Sequence, residues 1–265
     1  MNKKQKIIVA NFKMNLVSRF SVTNWFRGLS KYEKELKEGA VELVLCPPLL
    51  HASLFLEKTA DFKSVSVGLQ DCFWEKEGSY TGGVSPLMGK NFGLKYVIIG
   101  HSERRRYFGE TDEQVTRKLN LATEVGLKGV LCLGENLEEK KKELTDKVLL
   151  EKLGIYLKDY PAGRLDKLLI AYEPVWAISA NKPTALPDID EIMMARLIIK
   201  KFLVQKYGER SAKKVRILYG GSVSVGNVED VCYEARMDGV LVGKGSLVAE
   251  ELMGILQKAK GDFSG

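Results

Sequence analysis

Apolar residues along this chain gather in eight short runs, at 7–12, 41–46, 65–69, 96–100, 129–133, 168–172, 215–219 and 239–242. The runs are rich in Val, Ile and Leu and lack the alternation of a strand with one wet face. They therefore predict parallel strands covered on both sides. Between them the period lengthens to that of a helix. Trp25, Leu29, Tyr32 and Leu36 recur at spacings of four, three and four, and Ile192, Ala195, Ile199 and Phe202 at three, four and three. Asp188 and Glu191 have the spacing of a capping box that opens the second of these helices. Strand then helix, eight times, with no linker or low-complexity segment, predicts an α/β chain folded as one closed (β/α)8 barrel domain over residues 1–265. Such barrels typically run to about 250 residues. An open doubly wound sheet would carry a Gly-rich dinucleotide turn after its first strand, where this chain has Lys13-Met14-Asn15.

Composition narrows the field. With 265 residues, 45% hydrophobic and 28% charged, the chain has the makeup of a globular protein, and no apolar run is long enough to span a membrane. The basic start and the short run 7–10 do not match a signal peptide. Four cysteines, at 46, 72, 132 and 232, show no metal-ligand spacing, and two histidines are too few for an ordinary zinc site. The expectation is reduced thiols, a cytoplasmic location, and no metal or cofactor. The net charge of +7 comes without a nucleic-acid motif. Its densest stretch, 138–143, mixes signs and offers Glu138 and Lys142 as an i,i+4 pair, the pattern of a solvated helix face. A modest positive field that attracts a small anion fits better than a nucleic-acid partner, and no membrane association is expected.

The run at 168–172 leads into Glu173, and Pro174 follows at once. Proline cannot donate to a central ladder, so the strand should stop here and a loop begin, with Val175, Trp176 and Ile178 above the carboxylate. A carboxylate in apolar, water-poor surroundings has its charged form disfavoured and is the stronger base for it. Glu173 is thus a candidate general base; a strand-end ion pair with a nearby Lys or Arg is the competing account.

Barrel active sites lie at the carboxyl ends of the strands. Polar residues at five such ends therefore converge: Asn11 and Lys13 after the first run, His101-Ser102-Glu103 after the fourth, Glu173 after the sixth, Gly220-Gly221-Ser222 after the seventh, and Gly243-Lys244-Gly245-Ser246 after the eighth. Ser102 and Glu103 can open a helix whose first amides favour a neutral His101, a hydrogen-bond donor rather than a charge. His51, which follows Pro47-Pro48-Leu49-Leu50, reads as a hydrogen-bonded core histidine instead. Lys13 beside Asn11 can place a positive charge where an oxyanion develops. The paired Gly-rich turns can expose backbone N–H groups to a phosphate, although glycine in a tight turn needs no ligand to explain it.

These residues sit in segments that resemble the triosephosphate isomerase family along essentially the whole chain: A-N-F-K-M-N (10–15), G-S-Y-T-G-G-V-S-P (78–86), I-I-G-H-S-E-R-R (98–105), C-L-G-E (132–135), A-Y-E-P-V-W-A-I (171–178), L-Y-G-G-S-V (218–223) and L-V-G-K-G-S-L (241–247). The resemblance implies a TIM barrel that interconverts dihydroxyacetone phosphate and glyceraldehyde 3-phosphate, a step of glycolysis and gluconeogenesis, without a cofactor and as a homodimer. It also implies the roles. Glu173 is the base, His101 the neutral electrophile, and Lys13 the cation, with Asn11 beside it and Glu103 orienting it. The amides of Ser179, Gly243 and Lys244, with Ser222, hold the phosphate, while Ile178 and Leu241 clamp the base beneath a closing lid whose first hinge is 174–176. Three departures stand out. The lid tip, 179–185, reads S-A-N-K-P-T-A without glycine; Lys244 replaces the second glycine of a Gly-Gly pair; and the loop at 78–86 carries Gly83 for Glu, with Asp71 for Asn nearby.

Two other functions share this barrel. One is a phosphosugar-binding protein that no longer turns over, which the altered lid motivates. The other is a metal-dependent epimerase, for which the two histidines do not supply the ligands.

Overall fold

In a computed structural model, which describes residues 5–181 and 185–261, eight parallel strands close into a barrel in chain order. They are β1 (Ile7–Asn11), β2 (Glu42–Cys46), β3 (Val65–Leu69), β4 (Tyr96–Ile99), β5 (Lys128–Leu133), β6 (Leu168–Tyr172), β7 (Arg216–Tyr219) and β8 (Gly239–Val242). β1 closes the ring against β8, with Ile7 opposite Gly239 and Val9 opposite Leu241. The bounds expected from the apolar runs hold to within one residue at each end.

Alternation along each strand decides which residues meet in the middle. Val9, Val44, Ile98, Val130, Ala171, Leu218 and Leu241 belong to an inner cluster, whereas Ile8, Ala10, Leu43, Leu131 and Ile170 pack outward against the helices. Two residues further along, the inward positions become Asn11, Gly100, Glu173, Gly220 and Gly243 on five of the strands, and Cys46 and Cys132 on β2 and β5. On those five strands the period of two therefore delivers polar groups and glycines, rather than more hydrophobic side chains, to the top of the barrel.

The surrounding helices begin where their caps dictate. Asp188 caps Ile189–Tyr207, its side chain accepting from the Glu191 amide while Glu191 reaches back. Ile192, Ala195 and Ile199 face the core, with Phe202 partly buried beside them. The stripe Trp25, Leu29, Tyr32, Leu36 is not one helix. It divides into Arg19–Ser30 and Glu33–Glu38, with Tyr32 outside the helical region at φ −113° and ψ 22°. Spacing records which residues share a face and is blind to a break between turns. The expected Glu138–Lys142 ion pair does not form among the described residues: the helix stops at Lys141, and Lys140 pairs instead with Glu191. His51 is half-buried in a 3-10 turn at the foot of helix Ala52–Thr59, not in the core. Among the described residues no helix is long and apolar enough to cross a membrane.

Candidate active site

β6 ends at Tyr172, and the Glu173 amide still donates to Leu133 O on β5 at 2.8 Å, which fixes the carboxylate at the inner rim. The side chain is 3% exposed. One oxygen lies 3.0 Å from His101 Nε2, and the other accepts the Ser102 amide at 3.3 Å. Gly134, across from it, leaves the room for this approach: a Cβ there would stand 2.1 Å from the Glu173 carbonyl oxygen. Gly100, at φ +73°, turns the chain from β4 into His101 in a conformation that side chains disfavour.

His101 caps the helix Ser102–Phe108, its Nδ1 accepting the Glu103 amide at 3.2 Å. An Nδ1 that accepts leaves the ring's proton on Nε2, aimed at Glu173. Burial disfavours the imidazolium, but the Glu173 carboxylate, seconded by Glu103, outweighs it, so the His101 pKa lies above the ordinary value. The two influences act on different nitrogens. The Glu103 amide sets the tautomer, and the carboxylate against Nε2 raises the pKa for as long as the pair stays in contact.

Lys13 follows β1 at φ +51°, an uncommon conformation for a residue with a side chain. Its amide donates to Asn11 Oδ1 at 3.0 Å, and its carbonyl accepts from Gln70 Nε2 at 2.8 Å. Its ammonium pairs with Glu103 at 2.7 Å. Asn11, Lys13, His101, Glu173, Ile178, Ser179, Leu241, Gly243 and Lys244 all line one small cavity of about 20 Å³. Ser222 is not among its lining residues. Its hydroxyl donates to Ala177 O at 2.8 Å and lies 2.8 Å from the Ser179 hydroxyl, so it ties the lid to β7. After β8 a 3-10 turn, Lys244–Ser246, starts directly at Gly243, and its opening amides have no carbonyl within the turn to bond.

The triosephosphate isomerase family model matches residues 6–259. The triosephosphate isomerase of Thermoanaerobacter pseudethanolicus is 37% identical over 253 residues, covering 96% of this chain and 99% of its own. Those of Dictyoglomus turgidum, 38% identical over 258 residues, and Clostridium botulinum strain Langeland, 40% identical over 252, cover 96% and 94% of this chain and 99% and 98% of their own. The chain belongs to the triosephosphate isomerase family. It is an isomerase.

Reading the sequence for strand ends brought this family's polar groups together but passed over Glu135. Glu135 is fully buried, and one of its oxygens accepts both Trp176 Nε1 at 2.8 Å and the Tyr172 hydroxyl at 3.1 Å. It thereby anchors the first hinge of the lid. The tip is held twice more: Asn181 donates to Val175 O at 2.6 Å and accepts from Arg106 at 3.2 Å. Lys182, Pro183 and Thr184, the rest of the tip read from the sequence, lie outside the described residues.

A larger cavity of about 510 Å³ opens elsewhere, beside β3 and the loop at 78–86. It contains the Asp71–Arg104 pair at 2.8 Å and the Lys118 ammonium shared between Asp71 and Glu110. None of its lining residues lines the small cavity that holds Glu173 and His101.

Proposed function

We propose that the chain interconverts dihydroxyacetone phosphate and glyceraldehyde 3-phosphate through an enediolate, as one catalytic domain and without metal or organic cofactor. The observation that carries this reading is the buried contact between Glu173 and His101 at 3.0 Å, from the ends of two different strands, beneath a lid. The roles follow the recognised pattern of triosephosphate isomerases, in which a carboxylate base works against a neutral histidine.

Glu173 takes a proton from one carbon, and the electron pair moves into the neighbouring carbonyl. His101, with its proton on Nε2, donates to that oxygen as charge develops, and Lys13, steered by Glu103 and flanked by Asn11, supplies positive charge beside it. Glu173 then returns the proton to the adjacent carbon, while the hydroxyl proton passes from one oxygen of the enediolate to the other by way of His101 Nε2, so that no atom is gained or lost. The amides of Ser179, Gly243 and Lys244 hold the phosphate, with Ser222 contributing through the closed lid. Ile178 and Leu241 cover the base and exclude water, which limits loss of phosphate from the enediolate. A cytoplasmic location agrees with four free, buried cysteines. A homodimer agrees with the apolar loops considered below.

The test is a coupled assay of glyceraldehyde 3-phosphate conversion in chelator-treated buffer. Glu173→Gln should lower kcat by about 10²–10⁴-fold, the worth of a positioned general base, while changing inhibitor affinity far less. Wild-type turnover in that variant would remove Glu173 from the mechanism, and a wild-type chain active only with added divalent ion would remove the cofactor-free reading.

A further inference from the structure

The charges around this site do not welcome a doubly negative substrate until Lys244 is counted. Glu173 and Glu103 bring two negative charges. Lys13 brings one positive charge, already held by Glu103 at 2.7 Å, and His101 offers an acceptor at Nδ1 rather than a fixed cation. Without Lys244 the formal charges of those groups sum to minus one, which gives a phosphate dianion no net attraction to them.

Lys244 lines both the small cavity under the lid and an adjoining one of about 210 Å³ that shares Asn11, Lys13, Ser179 and Gly243 with it. Its side chain is exposed, and among the described residues its ammonium has no hydrogen-bond or ion-pair partner. Lys13 and Lys244 are the cations among the residues that line the two cavities. The first is neutralised, and the second rides on a flexible four-carbon stem from a residue that lines both cavities. Resting on the isomerase reading above, we propose that the Lys244 ammonium is the charge that draws in the substrate's phosphate. Lys244 would then be a specificity-determining residue for phosphorylated over unphosphorylated trioses. An unscreened cation at a cleft mouth accelerates capture of an anion, and salt abolishes the gain.

Lys244→Gln keeps the backbone amide and removes the charge; Lys244→Arg keeps both. The measurements are kcat/KM for glyceraldehyde 3-phosphate and for unphosphorylated glyceraldehyde over a range of ionic strength, together with a direct titration of inorganic phosphate. In Lys244→Gln the ratio of the two kcat/KM values should fall about tenfold at low salt, the lower end of electrostatic steering effects, and approach the wild-type ratio as salt is raised. Phosphate should bind more weakly in the same variant, and Lys244→Arg should restore both readouts. Equal losses on both substrates would make Lys244 merely structural, and an unchanged salt slope with unchanged phosphate affinity would overturn the proposal outright. The phosphate titration needs no turnover. A wild-type chain without isomerase activity would therefore defeat the functional reading while the titration still decides on the charge.

Discussion

At the residue scale the informative pair is Glu173 and His101. Burial lowers a histidine pKa, and a carboxylate against it raises the value; here the second effect wins. The cause lies in one side chain, so the direction can be reversed. In Glu173→Gln the carboxylate is gone and burial remains, and the His101 pKa, followed by NMR through its ring protons, should drop from above the ordinary value to below it. The sign carries over to stability. A group whose folded pKa is raised contributes stabilisation that is full below its unfolded value, ordinarily about 6.5, and that fades as pH rises through the folded value. The Glu173–His101 contact should therefore favour the folded wild type over Glu173→Gln in mildly acid solution and cease to do so in alkali. An unmoved His101 titration in the variant would place the cause elsewhere. Glu173 could be singled out from sequence because Pro174 marks the strand end that exposes it. Glu135 could not, since the partners that define it, Tyr172 and Trp176, stand 37 and 41 residues away. Ser222 is a different case, because its sequence context does not announce its lid contacts. The Gly-Gly-Ser pattern suggests an anion cradle, whereas the hydroxyl is engaged with Ala177 and Ser179.

At the element scale the segment proposed as a lid covers the candidate site. The cavity beneath it, about 20 Å³, holds roughly one water and no triose phosphate, so the segment has to move before anything binds. Two 3-10 turns, Val175–Ala177 and Ser179–Asn181, build the described part of it. Its fastenings are Trp176 to Glu135, Ser179 and Ala177 to Ser222, and Asn181 to Val175 and Arg106. The Asn181 contacts come from the stretch where this chain departs from the family's glycine-bearing tip. They give a reason for slower motion beyond the reduced backbone freedom of Ser, Ala and Asn. Replacing residues 179–181 with Gly-Thr-Gly should remove them. Loss of one net hydrogen bond of about 1 kcal/mol corresponds to opening about fivefold faster. Trp176 reports the change, because its indole N–H leaves or regains Glu135 as the hinge turns. Stopped-flow fluorescence during mixing with a phosphate-bearing inhibitor should show a faster transient in the replaced lid. A Trp176 signal that does not respond to ligand in either protein would rule out the hinge motion. The sequence marked this segment as a lid through its position and apolar content, yet the side-chain contacts of Asn181 had no signature there. They depend on where Arg106 emerges from a helix far away in the chain.

At the scale of the whole molecule, consecutive loops at one side of the barrel mouth carry large apolar residues into solvent. Met14 follows β1 and is 91% exposed, Leu50 follows β2 and is also 91% exposed, Tyr80 lies in the loop after β3, and Phe108 ends the helix after β4. Beside them lies the 510 Å³ cavity, where Arg104 Nε and Glu110 Oε2 are buried without a hydrogen-bond partner among the described residues. An unsatisfied buried polar atom costs about 1–3 kcal/mol, so a face that combines such atoms with exposed apolar side chains gains from being covered. A second copy of the chain, docking its loop at 78–86 there, is the occupant the family resemblance implies. Gly83 removes a carboxylate from that loop, and Asp71 provides one to Arg104 within the same chain, so the contact should rest more on apolar burial than on an ion pair across the interface. Sedimentation at micromolar concentration should give about twice the 29.6 kDa mass of the chain, with little dependence on salt. Tyr80→Asp, which sets a charge at the docking loop, should shift the equilibrium to the monomer. The loops that would be uncovered are the ones that bear Lys13, in its uncommon backbone conformation, and His101. Gln70 Nε2, on the strand end next to the docking loop, also holds the Lys13 carbonyl at 2.8 Å. Loss of the partner should therefore loosen the cation and the electrophile together and lower kcat in step with the monomer fraction on dilution. A Tyr80→Asp monomer that retained full kcat would show that the site is complete within one chain.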